Sequence, residues 1–278
     1  MAEDIPVVPK AGSLLLNSGN IVNWNRLKRK PSQSPTISEC IGTTFQAFIN
    51  GSDKNELQYV TDLNCVHQKY KETVPKADRG DFKLTVKIFL CSLLPIDVLQ
   101  EAVDKVLSEL DVSFIETVIV AFPEVDNEEL TLEVVQPYWK ALETLVYRET
   151  VISLGLADFD KKLLEQLYEF AEVKPMVNQV NLESCCVMPK ELVEFAKEKD
   201  IQLLTHNDPR EKDGEGWDPL WVLRYSVLVK CRGIVKSKGY LLKAERDVRK
   251  RKTMDLQDMS APDHGFVSKV ITELWTCK

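Results

Sequence analysis

A chain of 278 residues, 44% of them hydrophobic, is long enough to bury a sizeable core, and α/β barrels of about this size form one domain. Its 36 basic against 43 acidic residues give a formal charge of -7, so there is no broad positive surface to offset the desolvation of nucleic-acid phosphates. The opening MAEDIPVVPK has acids and prolines where a secretory signal needs a basic start and an apolar run, and no stretch reaches the roughly 18 consecutive apolar residues of a membrane span. The seven cysteines, Cys40, Cys65, Cys91, Cys185, Cys186, Cys231 and Cys277, are odd in number and lack C-x-x-C spacing, which suits free thiols in a reducing cytoplasm. In that compartment the sequon Asn50-Gly51-Ser52 is an accident of sequence.

In chain order, the apolar runs Leu14-Leu15-Leu16 and Ile21-Val22 flank Asn17-Ser18-Gly19-Asn20, residues that tolerate positive φ, and so predict a terminal hairpin within residues 1–30. Ile37, Ile41, Phe45, Phe48 and Ile49 then recur at helical spacing. A short strand is expected at 57–61. From residue 83 onward, β-rich runs at 84–91, 117–122, 151–156, 177–182 and 201–205 alternate with amphipathic segments at 96–110, 130–147, 161–172 and 190–199. A final unit is read as a helix over 220–230 and a strand from Gly233. Repeated strand–helix units imply a parallel sheet, and their number approaches the eight of a closed barrel. The expected organisation is an N-terminal segment 1–30, a (β/α)8 barrel over 31–244 and a tail over 245–278. The tail opens on the basic run Arg249-Lys250-Arg251-Lys252, and its Phe266, Val270, Ile271, Leu274 and Trp275 can share one helix face.

The second half carries an ordered set of motifs. Trp139-Lys140-Ala141-Leu142-Glu143 leads to Val151-Ile152-Ser153-Leu154-Gly155-Leu156-Ala157-Asp158-Phe159, then to Asn178-Gln179, to a strand ending at Asn207, and to Leu223-Arg224-Tyr225 with Arg232-Gly233. This set resembles the aldo-keto reductases, whose barrel strands end in G-V-S-N-F, N-Q and A-Y-S. That resemblance implies hydride transfer from NADPH, assisted by an Asp, a Tyr, a Lys and a His. Here the position matching the His is Ala121, the strand end matching the Lys places Leu93 there, and Asp62 is followed at the expected spacing by His67 instead of a Tyr. The family's S-N pair reads Ala157-Asp158, and its stacking Tyr reads His206. Asn178, Gln179 and His206 are therefore the vestigial candidates for a nicotinamide cofactor, and Asp158 would repel its phosphates.

The stretches Leu16 to Trp24, Gln136-Pro137-Tyr138-Trp139, Gln179 to Pro189, Ile201 to Pro209 and Gly233 to Tyr240 together resemble one branch of that superfamily, the regulatory (modifier, or light) subunits of glutamate-cysteine ligase. The link over 210–216 is shorter than that branch leads one to expect. The resemblance implies no catalysis and no cofactor. It implies a one-to-one complex with the catalytic (heavy) subunit, in which glutamate affinity rises and feedback inhibition by glutathione weakens. Cys185 and Cys186 follow a barrel strand, where this fold presents functional loops. Adjacent Cα atoms about 3.8 Å apart are too close for an unstrained mutual disulfide, so a redox partner would lie elsewhere. Trp217 and Trp221 are candidate interface anchors, with core packing as the alternative. The competing reading is an NADPH-dependent oxidoreductase in which His206 or His67 supplies the proton.

Overall fold

The computed structural model describes residues 10–26, 37–93, 95–123, 130–181, 188–206, 208 and 218–248, in two compact units. Cys185, Cys186, Trp217, the link 210–216 and the tail from 249 lie outside the described residues, so the expected tail helix does too.

One unit holds residues up to 72 together with parts of the last two strands. It contains β1 (Ser13–Asn17), α1 (Ile21–Arg26), α2 (Ile37–Gly51), α3 (Lys54–Leu57) and β2 (Asp62–Val66). The expected terminal hairpin does not form. Gly19 at φ +62° turns the chain, the Asn17 side chain accepts from the Gly19 N–H and the Asn20 side chain accepts from Val22 N–H, and α1 follows. Local side-chain bonds of this kind start a helix by satisfying its orphan amides. β1 pairs instead with β2 in parallel and with β9 (Ile234–Glu245) antiparallel, so Leu16 lies between Cys65 and Leu242. α2 forms as its periodicity predicts and packs on β1 and β2, burying Ile37, Ile41, Phe45 and Ile49. The strand expected at 57–61 begins later, at Asp62, because Asp53 caps α3 through Asn55 N–H.

The other unit, residues 73–210 and 223–236, is where strand–helix alternation is realised. β3 (Phe82–Leu90), β4 (Ile115–Ala121), β5 (Val151–Ala157), β6 (Val177–Asn181) and β7 (Gln202–His206) run side by side, each parallel to the next. The helices between them are α4 (Asp97–Leu110), α5 (Leu132–Tyr147), α6 (Lys161–Phe170) and α7 (Lys190–Glu198). All nine elements fall within a few residues of their predicted positions. Each helix turns an apolar stripe inward, for example Val98, Leu99, Ala102, Val103 and Val106 of α4. On α5 the fully buried Trp139 donates its Nε1–H to Val173 O, and the buried Glu143 carboxylate accepts from Glu172 N–H and Val173 N–H. This anchors the helix to the chain entering β6. At the amino-terminal ends of β3 and β4, Arg79 forks onto both Glu116 oxygens and Leu84 N–H joins them. Burial raises that carboxyl, but these donors outweigh it and hold it below the usual range.

The helix expected over 220–230 is instead a twelve-residue strand, β8 (Asp218–Val229), beside β3. From Leu223 to Leu228 buried and half-buried residues alternate strictly, the two-residue period of a strand, and Tyr, Val and Leu suit that pleated surface.

Gly155 shows how tightly the sheet packs. A Cβ there would lie 2.8 Å from Val177 Cβ and 2.9 Å from Val177 O. Gly155→Ala is expected to destabilise the chain by about 1–3 kcal/mol, the usual cost of overpacking, read as a lower urea midpoint with unchanged slope.

Candidate functional site

Charged side chains are rare inside a parallel sheet because a buried ion must be paired to offset its lost hydration. Here five polar groups converge around the carboxyl ends of β5 and β7. Lys87, in the middle of β3, is buried with 3% of its side chain exposed, and its Nζ lies 2.8 Å from Asp208 Oδ2. Arg224 of β8 pairs with the other Asp208 oxygen. His206, the last residue of β7, has Nε2 at 2.9 Å from Asp158 Oδ2, while its Nδ1 is 3.2 Å from Asp208 Oδ2. Asp158 lies just after β5 at φ +61°, a left-handed conformation unusual for a non-glycine. Its carboxylate accepts from Asn181 N–H at the end of β6, so one side chain ties together three strand ends.

The electrostatics follow from this geometry. Burial alone would raise the Asp208 carboxyl, but the hydrogen bond from His206 and the charges of Arg224 and Lys87 hold it well below the usual range. Burial lowers Lys87, and Asp208 opposes that shift without cancelling it. Burial also acts to lower His206, yet its bonds to Asp158 and Asp208 outweigh it and the net shift is upward. In contrast His67, packed against Trp24 and Tyr70, is pushed down by burial.

The candidates read from sequence fall in different places. Both amide atoms of Asn178 are used by the Phe159 backbone, its Oδ1 accepting from N–H and its Nδ2 donating to O. Gln179 keeps a buried Oε1 without a partner, and His206 is held between two carboxylates. A nicotinamide cofactor does not fit this set: Asn178 is used up by backbone, His206 is held by two carboxylates, and only Gln179 has a polar atom without a partner to offer a carboxamide. Ala121 is the last residue of β4. Leu93 is 44% exposed and lies beyond the end of β3, whereas that strand has its own buried lysine, Lys87. Trp221 is fully buried and is therefore core, not an interface anchor. The sequence reading missed Lys87, Asp208 and Arg224; a lysine inside Leu84-Thr85-Val86-Lys87-Ile88-Phe89-Leu90 was the available signal, because such a residue requires a counter-charge.

The cysteines also depart from expectation. Cys40, Cys65 and Cys231 are not in disulfides, but Cys91 is disulfide-bonded, its partner outside the described residues. Burial pushes Cys40 and Cys65 up to about 12, so neither is a thiolate nucleophile near neutral pH. Among the described residues there is no group of His, Cys, Asp and Glu that could hold a metal ion, and no helix is long and apolar enough to cross a membrane.

Parallel strands alternating with helices, with charged groups gathered at strand ends, define an α/β protein with a TIM-barrel-like fold. The sequence model of the aldo/keto reductase family matches residues 66–207. The human glutamate–cysteine ligase regulatory subunit is 41% identical over 261 residues, covering 86% of this chain and 95% of its own length. The putative counterpart in Schizosaccharomyces pombe is 23% identical over 83% of this chain and 96% of its own. Among solved structures, aldose reductase from Giardia lamblia covers 63% of this chain and 54% of its own, with TM-score 0.38 and 19% identity. The chain belongs to the aldo/keto reductase family, and within it to the glutamate–cysteine ligase regulatory subunits.

Proposed function

We propose that this chain is a non-catalytic subunit that binds the catalytic subunit of glutamate–cysteine ligase one-to-one, raises its glutamate affinity and relieves its inhibition by glutathione. The observation that carries this reading is the 41% identity spanning nearly the whole human regulatory subunit. Regulation of this kind is a coupling free energy between an interface and a distant active site. It is reciprocal for binding, so glutamate tightens subunit association and glutathione loosens it. Cys185, Cys186 and Trp217 are the residues we assign to contact with the partner. Association is non-covalent in origin, because a regulator needed under reducing conditions cannot depend on a bond that forms mainly on oxidation.

Mixing the chain with the catalytic subunit under reducing conditions is expected to give a stable complex, with a lower KM for glutamate and a higher inhibition constant for glutathione. No complex, or a complex with unchanged constants, overturns the reading.

One observation favours an oxidoreductase instead: a buried lysine persists on β3. Against it, the Lys87 ammonium is held by Asp208, and Ala121 stands where the sequence motif calls for a histidine. NADPH-dependent reduction of test aldehydes is expected to be absent.

A further inference from the structure

The two ring nitrogens of His206 face different chemistry. Nε2 is held by both oxygens of Asp158, at 3.0 and 2.9 Å. Nδ1 has two partners on one residue: the Asp208 N–H at 3.3 Å and Asp208 Oδ2 at 3.2 Å. These cannot be satisfied by the same protonation state. A neutral ring carrying its proton on Nε2 donates to Asp158 and accepts from the Asp208 amide. A protonated ring keeps the bond to Asp158 and donates from Nδ1 to the Asp208 carboxylate. The groups surrounding it are Asp158 from the end of β5, the Asn181 amide of β6, Lys87 of β3, Arg224 of β8 and Asp208 itself. With the ring neutral, two cations balance two carboxylates. With the ring charged, the cluster carries one surplus positive charge, and the buried Asp208 carboxylate gains a third donor.

We propose that His206 is a proton-operated latch, which on taking up a proton at Nδ1 exchanges the Asp208 amide for the Asp208 carboxylate and tightens the strand-end cluster. The proposal is independent of the regulatory reading, because it concerns this chain alone. His206 titrates above the ordinary imidazole value of about 6.5. A raised folded value means that the latch contributes its stability fully below that ordinary value and loses it as pH rises through the folded value. Mild acid closes the latch, and mild alkali releases it.

The test is an NMR titration of the imidazoles in the full chain. The sequence holds three histidines, and His206→Gln identifies the resonance by its disappearance. The His206 midpoint is expected above 6.5 and that of His67 below it. Asp158→Asn is expected to lower the His206 midpoint by at least half a unit, about a threefold loss of proton affinity. A wild-type midpoint at or below 6.5 overturns the proposal, whether or not the variants fold, and so does a midpoint that Asp158→Asn leaves in place. Thermal melts give a second readout: wild type is expected to lose stability relative to His206→Gln as pH rises above about 6.5, and parallel curves would count against the latch.

Discussion

Replacing Asp208 with alanine is expected to destabilise the chain by about 3–5 kcal/mol, the cost of leaving a buried charge without its partner. Lys87 has 3% of its side chain exposed and Arg224 16%, and both lean on the same carboxylate. Without it two cations face each other in a low-dielectric setting. Asp208→Asn is expected to cost less, since the amide oxygen still accepts a hydrogen bond. Adding Lys87→Met to Asp208→Ala should recover part of the loss, because it removes the more deeply buried charge and keeps the methylene packing. The measurement is urea denaturation of the single and double variants, and a double variant no better than Asp208→Ala would show that Lys87 is not the stranded charge. The pH dependence has a definite sign. The folded carboxyl lies well below its ordinary value, so its contribution is fully present above about pH 4–5 and is lost as pH falls.

Gly19→Ala is expected to cost about 3 kcal/mol or more. The position has φ +62°, which costs a side-chain-bearing residue about 1–2 kcal/mol. A Cβ there would also lie 2.4 Å from Tyr70 O and 2.5 Å from Tyr70 C, so backbone must move, and overpacking adds about 1–3 kcal/mol. The same movement strains the 2.7 Å bond from Asn20 N–H to Tyr70 O. Gly233 provides the control: it has the same φ but nothing within 4 Å of an added Cβ. Gly233→Ala should show the conformational cost alone, about 1–2 kcal/mol. Equal midpoints for the two variants would mean that the Tyr70 contact is unimportant.

The central strand–helix units were legible because both periods are strong there. Val98, Leu99, Ala102, Val103 and Val106 mark one helix face, and β-branched runs mark the strands between. At β1 the pairing partner lies far along the chain, so the local apolar runs suggested a neighbour that the asparagine side chains had already excluded. At β8 the helix expected over 220–230 gives way to the strict alternation from Leu223 to Leu228, which is the period of a strand. The candidate site was legible only in part. His206 and Asp158 stand at strand ends that the motifs mark. Lys87 and Arg224 lie 121 and 16 residues from Asp208 along the chain, and only the tertiary fold brings them together.

The pairing of β1 sets an order of events during synthesis. Its parallel contact with β2 closes a short loop, as in Ser13 Oγ–H to Asp62 across 49 residues. Its antiparallel contact with β9 must wait for the far end of the chain, as in Tyr240 N–H to Ser18 Oγ across 222 residues. That is about two doublings of loop length, each costing about 0.6 kcal/mol, so the equilibrium penalty is small. The kinetic one is larger, because β1 has an unpaired edge throughout the time in which the strand–helix units are being made. A nascent chain therefore passes through a stage with an open sheet edge near its amino terminus, the type of surface that invites pairing with other chains.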